Sequence, residues 1–158
     1  MARPIRNSDP AALRGILRTF FVSTRTDRGR VLFQTASMAL LLIDVLRVNT
    51  HKGKFITHDF VVMPDHLHVM LSVDNMTSIE KAVQLIKGGF SFRAKKELGR
   101  QGEIWQPGFS EVRINNRRSF LKHREYIDMN PVRAGFVDSP EKFPYGSAYL
   151  KKKKKNRG

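Results

Sequence analysis

The sequence contains no cysteine and no long apolar run. The first absence excludes disulfides, a thiolate nucleophile and cysteine-ligated zinc. The N-terminus carries Arg3, Arg6 and Asp9, which is not the pattern of a signal peptide. The longest apolar stretch, Met38 to Ile43, is too short to span a bilayer. We therefore expect a cytoplasmic protein that does not associate with a membrane.

Acidic residues are also scarce, because 14 Asp and Glu stand against 29 Lys and Arg. Without the six cations among residues 151–157, the net charge of +15 would still be +9. A folded body this basic is typical of proteins that bind a polyanion, and nucleic acid is the commonest one. A basic protein whose charge serves only its solubility is the alternative at this point.

The length of 158 residues favours a single domain, expected over residues 1–150 with a core over about 20–147. An irregular lead-in is expected over residues 1–14, and a disordered basic tail over residues 151–158. Strands are predicted at residues 20–24, 55–63, 67–73 and 109–114, and helices from Met38, from a Thr77–Glu80 capping box and over Arg117–Met129. Pro131 is expected to stop the last helix.

This order of elements is β-α-β-β-α-β followed by one more helix. It predicts an α+β fold of the ferredoxin-like type, an antiparallel sheet with helices packed on one face and an additional C-terminal helix. Many unrelated functions share such a fold, so the side chains must indicate the chemistry.

His66 and His68 are two residues apart on a predicted strand, so both imidazoles should point to the same face. Neutral imidazole is a common metal ligand, and the pair would supply half of a metal site. Two histidines on a polar strand face, or one of them paired with Asp65, would explain the pattern equally well.

Tyr126 and Asn130 are one turn apart on the last predicted helix. A tyrosine phenol can attack phosphorus and split a strand transfer into two easier steps. A divalent metal would assist it, and the Asn130 amide oxygen is a hard ligand suited to Mg²⁺ or Mn²⁺. Alternatively, Tyr126 packs on the sheet and Asn130 caps the helix before Pro131.

Basic residues are interleaved with aromatic ones between Lys87 and Phe109, and several later arginines are similar candidates with less to distinguish them. Such a mixture supplies phosphate contacts and stacking surfaces for unpaired bases. A buried Phe90 and a solvated row of lysines would account for part of it. The candidate DNA-binding residues are Lys87, Arg93, Lys95, Lys96, Arg113 and Arg133.

Taken together, five stretches resemble the REP-associated tyrosine transposases within the HUH single-tyrosine transposase superfamily. They are FFVSTRTDRGRVLF at residues 20–33, FVVMPDHLHVML at 60–71, IKGGFS at 86–91, WQPGF at 105–109 and YIDMNPVRAGFV at 126–137. Their order and spacing resemble the family from about Val22 to Ser147. The family more often has Asn where this chain has Asp65, and the lysine tail has no counterpart in its pattern.

The resemblance implies a role for each matching residue. Tyr126 would be the nucleophile, and His66, His68 and Asn130 would bind a divalent ion, Mg²⁺ or Mn²⁺. The implied substrate is single-stranded DNA beside a hairpin, cleaved and joined through a 5′-phosphotyrosine intermediate. The resemblance also implies a bacterial, nucleoid-associated protein and leaves monomer and homodimer open. The rival hypotheses are a non-catalytic, domesticated nucleic-acid-binding protein and a ferredoxin-like RNA-binding module.

Overall fold

The computed structural model describes residues 15–157, so the expected N-terminal lead-in lies outside the described residues. These residues form four strands and four α-helices. In chain order they are β1 (Arg18–Arg25), α1 (Ala36–His51), β2 (Ile56–Met63), β3 (His66–Val73), α2 (Ile79–Leu98), β4 (Ser110–Ile114), α3 (Arg117–Arg133) and α4 (Ser147–Arg157). Short 3₁₀ turns occupy Asp27–Gly29 and Pro140–Lys142.

The four strands form one sheet in the order β2-β3-β1-β4, and every neighbouring pair is antiparallel. The βαββαβ order and this strand order confirm the predicted ferredoxin-like arrangement. A two-residue turn, Pro64 and Asp65, joins β2 to β3 and places the two histidines at the start of β3. The two histidines therefore lie on an inner strand of the sheet, next to the turn of a tight hairpin.

Helices α1 and α2 cover one face of the sheet. The apolar residues predicted for α1, which include Leu42 and Val45, are buried, and Phe90 of α2 is fully buried with them. Gly89 of α2 approaches α1, since a Cβ built on it would lie 3.6 Å from Val45. The main core forms between these helices and one face of the sheet.

Helix α3 covers the opposite face, where a second core of six buried residues forms: Val61, Met63, Met70, Ile114, Ile127 and Phe143. The prediction of helices on one face therefore describes α1 and α2, whereas the additional helix lies on the other side. Ile127 contributes to this core, whereas Leu121 of the same helix is 42% exposed. The face that carries α3 is also the face that carries the histidines.

The end of α3 differs from the prediction, because Pro131 lies inside the helix and the helix continues to Arg133. Pro131 is buried, although it lacks the backbone N–H that a helix interior normally uses. Helix α2 also begins differently, since Ser78 rather than Thr77 accepts from the backbone N–H three residues on, that of Lys81. The helix ends predicted from local propensity therefore differ from those in the structure by one residue at the start of α2 and by a few residues at the end of α3.

The lysine run, Lys151 to Lys155, lies within α4, where the sequence predicts a disordered tail. Ser147 at the start of α4 is buried, and its Oγ donates to the Phe60 carbonyl at 3.1 Å while accepting from the Phe60 N–H at 3.0 Å. Lys151 is hydrogen-bonded to Asp59, one residue earlier on β2. These tertiary contacts order the first turns of a helix whose composition alone indicates none. Across residues 15–157, no helix is long and apolar enough to cross a bilayer.

Candidate active site

His66 and His68 lie side by side on β3, as their spacing predicts. Their ring centres are 4.6 Å apart, and the ring planes are at 70° to each other. His68 is 7% exposed, whereas His66 is partly accessible. Both imidazoles lie on the face of the sheet on which α3 packs.

One ring nitrogen of each histidine already has a partner. Nδ1 of His68 lies 2.6 Å from the Ser23 hydroxyl on β1, and Nδ1 of His66 lies 2.6 Å from a carboxylate oxygen of Asp65. The pairing of His66 with Asp65, one of the alternatives from the sequence, is therefore present. It leaves Nε2 as the remaining nitrogen on each ring. Metal-binding histidines in proteins have this arrangement, in which a second partner orients the ring.

The environment of His68 keeps its imidazole neutral. Burial, with smaller contributions from His66 and Arg25, lowers the pKa of His68 from 6.5 to about 3. A neutral imidazole retains a lone pair for a metal, whereas a protonated one has none. Near neutral pH, His68 is therefore in the form that a ligand requires.

Tyr126 of α3 lies beside this pair. Its ring centre is 5.4 Å from that of His68, and its side chain is 44% exposed. The edge of the Tyr126 ring meets Phe21 at 5.8 Å, and the guanidinium of Arg133 lies 5.1 Å from the ring centre. Tyr126 is thus anchored on the sheet yet open to solvent, so both an attacking group and a packed side chain are compatible with its position.

Asn130 follows Tyr126 by one turn of α3 and is half-buried. Because α3 continues past it, Asn130 does not cap the end of the helix, as the alternative interpretation required. Across residues 15–157, no three His, Cys, Asp or Glu side chains are grouped so as to hold a metal. A metal at the histidine pair would therefore need another kind of ligand, such as an amide oxygen or a phosphate oxygen of DNA.

The six predicted DNA-binding cations do not form one surface at Tyr126. Arg133 is beside Tyr126, but the four on α2 belong to a helix packed on the opposite face of the sheet. Of those four, Lys87 donates to the carbonyls of Gln106 and Gly108, Arg93 bonds Asp44 and Glu97, and Lys95 and Lys96 are exposed. Arg113 of β4 is exposed, with its guanidinium 5.4 Å from the centre of the Phe20 ring.

The structure adds site residues that sequence patterns did not indicate. Phe21 stacks on His68 with ring centres 5.4 Å apart, and it also contacts His123 of α3 at 5.0 Å. Ser23 and Arg25 lie opposite His68 and His66 in the register of β1 with β3. The alternation of Phe21, Ser23 and Arg25 along β1 was a signal for one shared face, but which strand they would meet required the sheet order.

A surface cavity of about 420 Å³ is lined on one side by Ser23, Thr24 and Arg25 of β1, the strand that pairs with the histidine strand, and on the other by residues 106–110. Lys87 holds the second wall in place through its two hydrogen bonds to that loop. Helices α1 and α2 cover one face of the sheet, whereas α3 packs on β2 and β3 of the other face and leaves Val112 of β4 47% exposed.

The fold and the site together place two histidines of a sheet beside a tyrosine carried by a helix. Residues 18–130 match the family model described as "Transposase IS200 like". The chain therefore belongs to the IS200-like transposase family. The matched range ends at Asn130, so it includes His66, His68 and Tyr126, whereas α4 lies beyond it.

Two curated relatives carry a more specific description. A protein of Escherichia coli K12 described as a REP-associated tyrosine transposase is 26% identical over 129 residues, 81% of this chain and 73% of that protein. A Haemophilus influenzae protein provisionally named a REP-associated tyrosine transposase is 30% identical over 103 residues, 59% of this chain. The match spans 58% of the length of the Haemophilus protein.

Solved structures show the same fold. A REP-associated tyrosine transposase bound to a REP hairpin superimposes with a TM-score of 0.66 at 26% identity, over 84% of this chain and 78% of the other. A protein of Deinococcus radiodurans provisionally named a transposase superimposes with a TM-score of 0.53 at 22% identity, over 71% of this chain and 89% of the other. The second likeness shows the fold alone.

Proposed function

We propose that this protein is a metal-dependent REP-associated tyrosine transposase, which cleaves and joins single-stranded DNA beside a hairpin through a 5′-phosphotyrosine intermediate. The observation that carries the proposal is the half-exposed ring of Tyr126 at 5.4 Å from the ring of His68. The related REP-associated transposase bound to a REP hairpin supports the choice of substrate.

Tyr126 would act as the nucleophile. Its phenolic oxygen forms a bond to phosphorus, and the 3′ oxygen of the preceding nucleotide leaves and takes up a proton as a hydroxyl. The phenol releases its own proton to water, which reaches the exposed side of the ring. Attack by a 3′ hydroxyl on the phosphotyrosine then reverses these roles and joins the strands.

The residues at the histidine pair fit a divalent cation. Both Nδ1 atoms are hydrogen-bonded, both Nε2 atoms remain, and the pKa of His68 keeps that ring neutral. We propose that His66, His68 and Asn130 hold Mg²⁺ or Mn²⁺. When bound there, the ion would withdraw charge from the scissile phosphate and assist the leaving oxygen.

Two arginines are placed to bind the DNA backbone near the nucleophile. Arg133 lies against Tyr126, and Arg25 lies opposite His66 at the wall of the surface cavity. Both side chains are exposed, so their charges remain available to phosphates. The cavity beyond Arg25 would accommodate nucleotides next to the cleaved bond.

Covalent capture of DNA tests the nucleophile. An oligonucleotide with a hairpin and a single-stranded flank is incubated with Mn²⁺ and the protein, and the adduct is measured on a denaturing gel. Tyr126→Phe should abolish the adduct and keep DNA binding within about twofold, since it removes one hydroxyl from an exposed site. Tyr149→Phe on α4 is the matched control and should form the adduct as the wild type does.

Two outcomes would contradict the proposal. An adduct that persists in Tyr126→Phe would mean that another residue attacks the DNA. A wild-type protein that binds the hairpin tightly and forms no adduct with any divalent ion would instead favour the non-catalytic, domesticated protein.

Binding of Mn²⁺ to the DNA-free protein tests the metal site by calorimetry. His66→Ala and His68→Ala should each weaken binding at least about tenfold, because each removes one of few ligands. His51→Ala, at an exposed position on α1, is the control and should bind as the wild type does. Equal Mn²⁺ affinity in all three variants would exclude this pair as the site.

A further inference from the structure

Asp59 of β2 is the most deeply buried charged side chain among residues 15–157, with 0% exposure. Its two carboxylate oxygens bond two cations from two different helices. Nε of Arg124 on α3 is 2.9 Å from Oδ2, and Nζ of Lys151 on α4 is 2.5 Å from Oδ1. One buried carboxylate therefore connects the sheet to both helices of this face.

The connection constrains α3 because the carboxylate cannot be solvated in place. A buried charge is stabilised when it is paired and hydrogen-bonded, and losing either partner leaves it under-compensated. Arg124 and Lys151 are partly exposed, with 38% and 53% of their side chains accessible, so each could reach water if released. Asp59 cannot reach water, so α3 and α4 must stay where Arg124 and Lys151 can pair with its carboxylate.

A second carboxylate on α3 increases this dependence. Asp128 is half-buried, and its Oδ1 is buried with no hydrogen-bond partner among the described residues. Asp128 is also close enough to interact electrostatically with Asp59, Arg124 and Lys151. Asp128 thus adds a second carboxyl group near Asp59, while the ion pairs of Arg124 and Lys151 are both made with Asp59.

Helix α4 is attached at two consecutive residues of β2. Ser147 bonds the backbone of Phe60, and Lys151 bonds the side chain of Asp59 one turn later. Lys151 makes this bond to Asp59, whereas another of the five consecutive lysines on the same helix, Lys154, is exposed. The lysine helix is consequently part of the structure that supports α3.

We propose that Asp59 is a positioning residue that holds α3, and with it Tyr126, in register with the histidine pair through Arg124, with Lys151 of α4 completing the connection. The catalytic part of this inference rests on the proposed function, since it takes Tyr126 as the nucleophile. Arg124 is two residues before Tyr126 on α3. The buried Ile127 and Pro131 also hold this helix, but apolar contacts are not directional and do not fix its orientation as a hydrogen bond does. The Asp59–Arg124 bond supplies the direction.

The first test measures the mobility of α3 without DNA, by amide hydrogen exchange in the full chain. Asp59→Asn should raise the exchange rates of amides 121–133 at least about tenfold and leave those of α1 and α2 unchanged, because the latter pack on the other face. Lys151→Met should show the same pattern to a smaller extent. Lys154→Met is the matched control and should exchange as the wild type does.

The second test measures the single-turnover rate of the covalent DNA adduct, together with the Kd for the hairpin. Arg124→Met and Asp59→Asn should each slow adduct formation about tenfold or more, with Kd within about twofold of the wild type. Arg124→Lys, which restores a cation, should recover part of the rate. A combined Asp59→Asn and Arg124→Met variant should be no slower than the worse single variant.

The outcomes separate the two proposals. If α3 exchange is unchanged in Asp59→Asn, or if α1 and α2 loosen equally, Asp59 is an ordinary stabilising residue and the positioning role is wrong. If the wild type forms no adduct but α3 loosens as expected, the proposed function fails while Asp59 still holds α3. Loosening of α3 with an unchanged adduct rate would contradict the role in positioning Tyr126.

Discussion

The Ser23 hydroxyl lies 2.6 Å from Nδ1 of His68 and connects the neighbouring strand to one of the two imidazoles. The bond orients the ring so that Nε2 is the remaining nitrogen. Ser23→Ala should therefore weaken Mn²⁺ binding about tenfold, a typical cost of removing the partner that orients a metal-bound histidine. Calorimetric titration of the DNA-free protein measures the effect.

Ser37→Ala, on the exposed surface of α1, serves as the control for the loss of a serine hydroxyl. Unaltered Mn²⁺ affinity in Ser23→Ala would show that packing against Phe21 is enough to orient His68.

Arg133 contacts Tyr126 twice, with its guanidinium 5.1 Å from the ring centre and its Nη2 donating to the Tyr126 carbonyl at 3.2 Å. A cation–π contact at an exposed site contributes about 0.5–1 kcal/mol. We expect Arg133→Met to slow adduct formation about two- to fivefold through this contact, with a further loss of DNA affinity that diminishes at high salt. Single-turnover rates at saturating DNA separate the two effects, and a rate equal to that of the wild type would exclude a role for the contact.

The ring of Phe21 contacts three other rings, those of His68, His123 and Tyr126. Phe21→Ala should lower the free energy of unfolding by about 2 kcal/mol, less than a fully buried Phe because Phe21 is half-buried. Phe92→Ala, at a side chain that is 65% exposed, should change it by no more than about 0.5 kcal/mol. Urea denaturation compares the two variants, and equal stabilities would contradict the packing role of Phe21.

His58 gives the stability of the protein a dependence on acid. Burial lowers the pKa of His58 below 6.5, and its Nε2 lies 2.7 Å from the Ser72 hydroxyl. Below pH 6.5 the unfolded chain thus takes up more protons than the folded one, so the free energy of unfolding falls as the pH falls. His68 acts in the same direction.

His58→Gln should therefore show a smaller loss of thermal stability between about pH 7 and pH 5 than the wild type, because one of these two groups no longer titrates. His51→Gln, at an exposed site on α1, should follow the wild-type curve. A His58→Gln curve parallel to that of the wild type would mean that His58 does not contribute.

The period of a strand was sufficient to predict that His66 and His68 share a face, and the structure confirms it. The partner of His68 was not predictable in the same way. Ser23 meets His68 because β1 pairs with β3 in one particular register, and that pairing joins residues 45 positions apart. A local sequence pattern predicts which residues of a strand share a face, whereas the residues that they meet on the neighbouring strand depend on the topology of the sheet.

The same distinction explains the differences at the helix ends. Pro131 was expected to stop α3, but it is buried by the tertiary structure and the helix continues to Arg133. The lysine run was expected to be disordered on composition, yet Lys151 bonds a buried carboxylate that is 92 positions away in the chain. In both cases a long-range contact outweighs the local preference.

The two edge strands of the sheet, β2 and β4, differ in whether another segment of the described residues bonds to them. Along β2, the Val62 N–H donates to the Tyr145 carbonyl, and Gly146 bridges to Val61, so the segment before α4 occupies this edge. Along β4, which pairs with β1, no backbone bond from residues 15–157 reaches the outer edge. An unpaired edge is a template for another strand. If a second copy of the chain extends this sheet, β4 is the strand that the described residues leave open for it.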